Sequence, residues 1–460
     1  MLTDPPTSWT LTRLATDLAS GRTRSREQIE ACLARATSPS GEGQRTFLKM
    51  AEEPARAAAD YFDKQRKLGG SPGPFAGIPL SVKDLFDVAG DVTTAGSVVL
   101  QDAEPATHDA IAVARLRAAG FIILGRTNMT EFAFSGLGVN PHYDTPRNPW
   151  DRPANRIPGG SSSGAAISIT DAMAFGALGT DTGGSCRIPA AMCGIVGFKP
   201  TARRVPLTGA YPLSPTLDSI GTLANSVNCC AMMDSVLAGE PQVDFIPANL
   251  AGLRLGVPRS YVSVGLAGEV ALSFERALHN LSKAGAHIQE LPFAELTELP
   301  DINCKAGFPA PEAYALHRAR IASKASRYDP RILTRILRGR EQDAADYIEL
   351  HQRRHNFINR VTPIVRAYDA MLMPTVPILA PRLADLVSDE AYTRVNALVL
   401  RNSSIVNFID GCGISIPCHE PGAAPVGLTL FGPNRTDRRL LEIAAAAEIC
   451  LKRAYRTEAC

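Results

Sequence analysis

Gly159-Gly160-Ser161-Ser162-Ser163-Gly164 and Gly179-Thr180-Asp181-Thr182-Gly183-Gly184-Ser185, whose Ser185 stands twenty-four residues beyond Ser161, are the two stretches on which the reading of this chain turns. Glycine permits backbone angles closed to other residues and, lacking a side chain, lets main-chain N–H groups approach a ligand. The run Thr182, Gly183, Gly184, Ser185 can therefore aim several amides at one oxygen, as an oxyanion hole does. Two glycine-framed serines at this spacing mark a candidate reaction centre. A serine hydroxyl attacks a carbonyl effectively only if a base takes its proton. Upstream, Ala76-Gly77-Ile78-Pro79-Leu80-Ser81-Val82-Lys83-Asp84 sets a lysine in an apolar, strand-like run. Burial there disfavours the charged ammonium and lowers its pKa, so Lys83 is the candidate base.

Outward from these stretches, short apolar runs alternate with helical patterns. Residues 111–119 read as a helix and 121–124 as a buried strand; 253–257, 270–284 and 288–291 read as strand, helix and strand. Residues 300–365 are helical with one polar face, and 371–374 return as a strand before the segment 407–417. The alternation predicts an α/β sandwich. The first 70 residues predict a helical outer layer: Leu11, Leu14 and Leu18 share a face, and Ser25 with Gln28 has capping-box spacing. At 460 residues the length alone suggests two or three domains. No linker, charge run, low-complexity tract or repeat divides the chain. The reading is one unit over 1–460: a helical layer (1–70), a core with the reactive residues (71–240) and a completing α/β region with pocket segments (241–460).

With 45% hydrophobic and 20% charged residues the composition is globular, and a formal net charge of +2 gives no footprint for a nucleic acid. The pairs Arg353-Arg354 and Arg438-Arg439 read as solvated helix faces. Residues 1–6 lack a basic start and an apolar stretch, and no apolar run spans a bilayer; the expected address is the cytoplasm, away from membranes. Ten cysteines without a secretion signal read as reduced thiols. Cys229-Cys230 reads as a pair of small buried residues, and Cys412 and Cys418 lack metal-site spacing. Neither a metal nor an organic cofactor is expected.

The two serine runs, followed by Arg187-Ile188-Pro189-Ala190-Ala191 and by Cys193-Gly194-Ile195-Val196-Gly197-Phe198-Lys199-Pro200-Thr201, resemble the fingerprint of the amidase signature family. Weaker echoes extend from about Thr10 to the last helix. The resemblance implies a single α/β unit with a mixed central β-sheet covered by helices on both faces. It implies hydrolysis of a linear carboxylic amide to carboxylate and ammonia or amine, with a small-molecule substrate. The chemistry would run through an acyl-enzyme on Ser185, with Ser161 as a bridging serine on a cis peptide and Lys83 as the terminal base. The oxyanion hole would be the amides of Thr182, Gly183, Gly184 and Ser185. The stretch 125–132 matches as well, which places Asn128, Met129 and Phe132, with Ser162, at the substrate. Family habit adds a homodimer. Two alternatives stay open: the glutaminase (A-type) component of a tRNA-dependent amidotransferase, and a ureide- or ester-directed member of the same family.

These residues admit other readings. Residues 160–164 also satisfy G-x-S-x-G, which would make Ser162 the nucleophile of an α/β-hydrolase elbow. That elbow needs a buried strand immediately before it, whereas 151–158 is polar and contains proline. No S-x-x-K occurs, and His317, His351, His355 and His419 sit in no catalytic motif. Asp84, Asp181 and Arg187 read as holding loops together, and Lys199, beside Pro200, as anchoring a turn. Departures from the family pattern are Cys186 after the nucleophile, Arg203 after Ala202 where glycine is usual, and Gly411-Cys412-Gly413 in place of Gly-Leu-Pro.

Overall fold

The computed structural model describes residues 9–242 and 245–457. The reading made of residues 1–6 falls outside the described residues. The strands are β1 (Phe47–Met50), β2 (Pro79–Lys83), β3 (Ile122–Thr127), β4 (Gly176–Thr180), β5 (Val196–Lys199) and β6 (Ile220–Ala224). They continue as β7 (Arg254–Pro258), β8 (His287–Leu291), β9 (Ala370–Pro374), β10 (Cys412–Pro417) and β11 (Gly427–Gly432). All pair into one sheet in the order β1-β3-β2-β4-β6-β5-β10-β11-β9-β7-β8. The sheet is mixed, as expected: β3, β2 and β4 run parallel, the middle strands β6, β5, β10 and β11 pair antiparallel, and β9, β7 and β8 are parallel again. Helices cover both faces.

Every residue of β2 and β4 is buried, which explains their near-continuous apolar runs: a parallel strand covered on both faces has no solvent side to mark with polar residues. The polar exceptions are Ser81, Lys83 and Thr180, and the Ser81 hydroxyl bonds Ser168 at 2.8 Å. Ser168 lies on the helix Ser163–Thr170, all of whose residues are buried. That helix is buried all round because it fills the space over β2 and β4, and its few polar residues are serine and threonine.

The expected helical layer is interrupted. Leu11, Leu14 and Leu18 are buried on one helix face, but Phe47–Met50 is an edge strand antiparallel to β3. Its four residues are too few to show an alternation. The helix Ser25–Ala36 begins one residue earlier than the capping-box reading placed it. Ser25 is its first helical residue, and the amides of Ser25 and Arg26 donate to the Asp63 carboxylate at 2.8 and 2.9 Å. A helix distant in sequence thus supplies the cap. Arg203 has φ 65°, a left-handed conformation that favours glycine, and its guanidinium bonds Asp410 at 3.2 Å.

Candidate active site

In a parallel region the loops that follow the strands leave from one edge, and ligands bind outside that edge. Lys83 ends β2 and Thr180 ends the neighbouring parallel β4. Lys83 Nζ is 2.7 Å from Ser161 Oγ and 2.9 Å from Thr180 Oγ1. The lysine is 0% exposed and meets no carboxylate oxygen within hydrogen-bonding distance among the described residues. Burial pushes its pKa down to about 8. A neutral amine is therefore accessible near neutral pH, held against a serine hydroxyl by two hydroxyl contacts.

Ser161 lies in the loop ahead of the buried helix, and the peptide bond Gly160–Ser161 is cis. The loop is pinned at both ends: Gly160 N–H donates to Gly136 O at 2.8 Å, and Thr130 N–H to Ser161 O at 3.1 Å. A Cβ on Gly160 would stand 2.5 Å from Gly138 N, so only glycine fits this crossing. Ser162 takes the N-cap position of the helix, but its hydroxyl donates to Thr180 O at 3.3 Å and its amide to Ser185 O at 3.4 Å. No strand immediately precedes it, so the α/β-hydrolase elbow has no support here.

Ser185 sits in the tight turn between β4 and the helix Arg187–Cys193, on the wall of a cleft of about 400 Å³. The turn is held from behind. The Asp181 carboxylate accepts Gly184 N–H at 2.8 Å, Cys186 N–H at 3.1 Å, Arg187 Nη2 at 2.9 Å and Asn407 Nδ2 at 3.0 Å. Arg187 Nη1 also reaches Ser403 O at 2.9 Å, and Ser403 Oγ donates to Gly183 O at 2.6 Å. Beside the turn, Thr182 Oγ1 donates to Asp218, whose other oxygen takes the amides of Leu213 and Ser214. Burial raises the Asp218 carboxyl to about 6.

The structure sorts the sequence-predicted residues. Lys83, Ser161 and Thr180 meet, and Ser185 faces the cleft with Thr182 and Gly183. Gly184 does not belong with the free amides, because its N–H is spent on Asp181. Asn128 and Met129 are not among the residues that line the cleft: Asn128 Nδ2 donates to the carbonyls of Arg45 and Asp144, and Met129 is fully buried. Phe132, at φ 50°, packs its ring 4.3 Å from His317 and 5.5 Å from Tyr328. The residues that follow it, Ala133, Phe134 and Ser135, line the cleft instead. Ser162 is consumed by the Thr180 carbonyl.

Asp84 receives Arg126 Nε at 2.7 Å, a loop brace like Asp181–Arg187. Lys199 donates to Pro200 O at 2.6 Å and Gly411 O at 2.7 Å, which ties its turn to the next strand of the sheet. Cys186 Sγ points into the core between Gly179 and Gly221, where burial raises its thiol pKa. Among the histidines, His317 is buried and His351 and His355 are exposed. Sequence reasoning missed Ser403, Asn407 and Asp218, single polar residues whose only signal is that each would be buried. No group of His, Cys, Asp and Glu among the described residues could hold a metal ion.

Residues 27–441 match the family model described as Amidase. The chain belongs to the amidase family. A 2-amino-5-chloromuconic acid deaminase of Comamonas testosteroni is 38% identical to this amidase over 403 residues, 86% of each chain. The A-type component of a glutamyl-tRNA(Gln) amidotransferase from Moorella thermoacetica is 31% identical, covering 92% of this chain and 93% of its own. The crystal structure of an amidase superposes with a TM-score of 0.86 at 30% identity, over 96% of this chain and 99% of the other. A peptide amidase bound to the competitive inhibitor chymostatin gives 0.80 at 25% identity, over 96% of this chain and 97% of its own. This amidase is an enzyme, a hydrolase of linear amides with small-molecule substrates. No helix among the described residues is long and apolar enough to cross a membrane.

Proposed function

We propose that the reaction runs through an acyl-enzyme on Ser185, with Ser161 and Lys83 relaying the proton and the amides of Thr182, Gly183 and Ser185 receiving the oxyanion. Neutral Lys83 draws the Ser161 proton while Ser161 takes that of Ser185, so the attacking oxygen becomes an alkoxide as its bond to the carbonyl carbon forms. The C–N bond then breaks, and the proton returns along the same route to the departing nitrogen. Water repeats the cycle, leaving a carboxylate and a regenerated serine. Positioned proton transfer contributes about 10² to 10⁴ in rate and an oxyanion donor about 10² to 10³, so amide cleavage needs both. The observation that carries the reading is Lys83: a fully buried amine of lowered pKa, 2.7 Å from Ser161.

A second reading, a glutaminase component working in a complex, is favoured by the likeness to the A-type amidotransferase component. Both readings meet one experiment: ammonia release by the purified protein from aliphatic amides, arylalkyl amides, ureides, glutamine and a 2-aminomuconate, beside Ser185→Ala and Lys83→Ala. Release from a non-glutamine substrate, lost in both variants, fits the stand-alone hydrolase. Release from glutamine alone gives the glutaminase reading the lead, and full activity in Ser185→Ala rejects the assignment of the nucleophile. No disulfide joins the nine cysteines among the described residues, which supports the cytoplasm as the working address.

A further inference from the structure

The cleft in front of Ser185 has three arginines on its walls, Arg335, Arg338 and Arg401, and no aspartate or glutamate among its lining residues. A chain with a net charge of only +2 thus gathers three positive charges at its reaction site. On the helix that carries Arg335, Arg331 is paired with Asp389 at 2.8 Å. Arg335, on the helix Pro330–Leu337, has no carboxylate partner among the described residues. Its guanidinium lies 4.8 Å from the centre of the Phe134 ring, and its Nε is shut away from solvent without an acceptor. Burial and then the like charge of Arg338 lower its pKa. Arg401 donates to Val264 O at 2.6 Å, Val262 O at 3.2 Å and Asn402 Oδ1 at 3.1 Å. Those acceptors are neutral, so its charge is positioned but not compensated. The adjoining recess behind Thr182 contains Asp218, whose two oxygens are already taken by Thr182, Leu213 and Ser214.

Half-buried guanidinium groups without counter-ions, as those of Arg335 and Arg401 are, are costly unless an anion arrives with the ligand; Arg338 is exposed at the cleft and adds its charge without that cost, and the planar fork of arginine suits a carboxylate. We infer that the amide substrate is a net anion whose acyl part carries a carboxylate, gripped by Arg335 and Arg338 with Arg401 across the cleft. The inference rests on the reading of Ser185 as the nucleophile facing this cleft. It also separates substrates that the triad treats alike. A zwitterionic amino-acid amide such as glutamine would bring an ammonium into a cleft that offers it three like charges and no acid.

The test is calorimetric binding to the Ser185→Ala protein of three ligands of one length: glutaramate (net negative), glutamine (zwitterionic) and pentanamide (neutral), with succinamate and adipamate as shorter and longer acids. At least one of the three acids should bind about tenfold or more tightly than glutamine and pentanamide. That preference should weaken with added salt and fall about tenfold on Arg335→Met, with partial retention on Arg335→Lys. Unchanged pentanamide binding by the Arg335 variants shows that they fold. Equal affinity for the best acid, glutamine and pentanamide overturns the inference, as does tighter binding of glutamine. Because binding is read and not turnover, the result is independent of whether the proton relay is assigned correctly.

Discussion

Asp181 and Arg187 form a buried ion pair directly behind the turn that carries Ser185, with Nη2 to Oδ1 at 2.9 Å and Nε to Oδ2 at 3.1 Å. Burial on its own would raise the Asp181 carboxyl, but the charge and hydrogen bonds of Arg187 outweigh it and hold the pKa at about 2. The same two oxygens take the amides of Gly184 and Cys186, on either side of the nucleophile. The acid thereby fixes the backbone that presents Ser185. Arg187→Met leaves a buried carboxylate without its cation, a defect worth about 3–5 kcal/mol. The expected outcome is a clearly lowered unfolding midpoint together with a fall in kcat. A variant as stable as the parent would show that the pair is dispensable.

The Lys83 amine acts as a base only when neutral. Its pKa stands at about 8 through burial, so below that pH the charged form dominates and the neutral fraction falls about tenfold per unit. The expected kcat/KM profile for a neutral amide rises with pH and levels off above about 8. Lys83→Ala should abolish that limb and cost about 10² to 10⁴ in rate. Lys83→Arg, always charged, should do no better. A wild-type profile flat from pH 6 to 9 would remove Lys83 from the role of base.

Much of this was legible in the sequence, for physical reasons. β2 announces itself because a strand buried on both faces must be largely apolar, and a lysine in such a run is conspicuous. The glycine-framed serines were visible because the turns at Gly160 and Gly184 exclude any side chain. What the sequence concealed is long-range. Ser403 and Asn407 reach the Ser185 turn from a helix more than 200 residues away, and no local pattern marks a polar residue that a distant loop will occupy. Asn128 misled in the opposite direction: a polar side chain beside a motif looks like a ligand contact, yet its donors are taken up by the carbonyls of Arg45 and Asp144. The strand Phe47–Met50 was missed because four residues at a sheet edge leave too short a pattern to distinguish from helix.

Gly184 tests how tightly the turn controls the chemistry. Its φ is 135°, open essentially to glycine alone, and a Cβ there would stand 2.6 Å from Ser403 Cβ and 2.7 Å from Ile188 Cδ1. Gly184→Ala therefore carries two penalties, backbone strain of about 1–3 kcal/mol and a steric clash. Ser403 cannot withdraw freely, since its hydroxyl holds Gly183 O at 2.6 Å. The nucleophile and the neighbouring amides should shift together, and a displacement of about 1 Å costs about 10² in rate. Ser403→Gly in the same chain removes its share of the clash but not the strain at φ. The double variant should thus recover part of the lost kcat and never the whole. Full recovery would assign the entire effect to the clash and leave the backbone conformation without a role; no recovery would assign it to the backbone and the Ile188 contact.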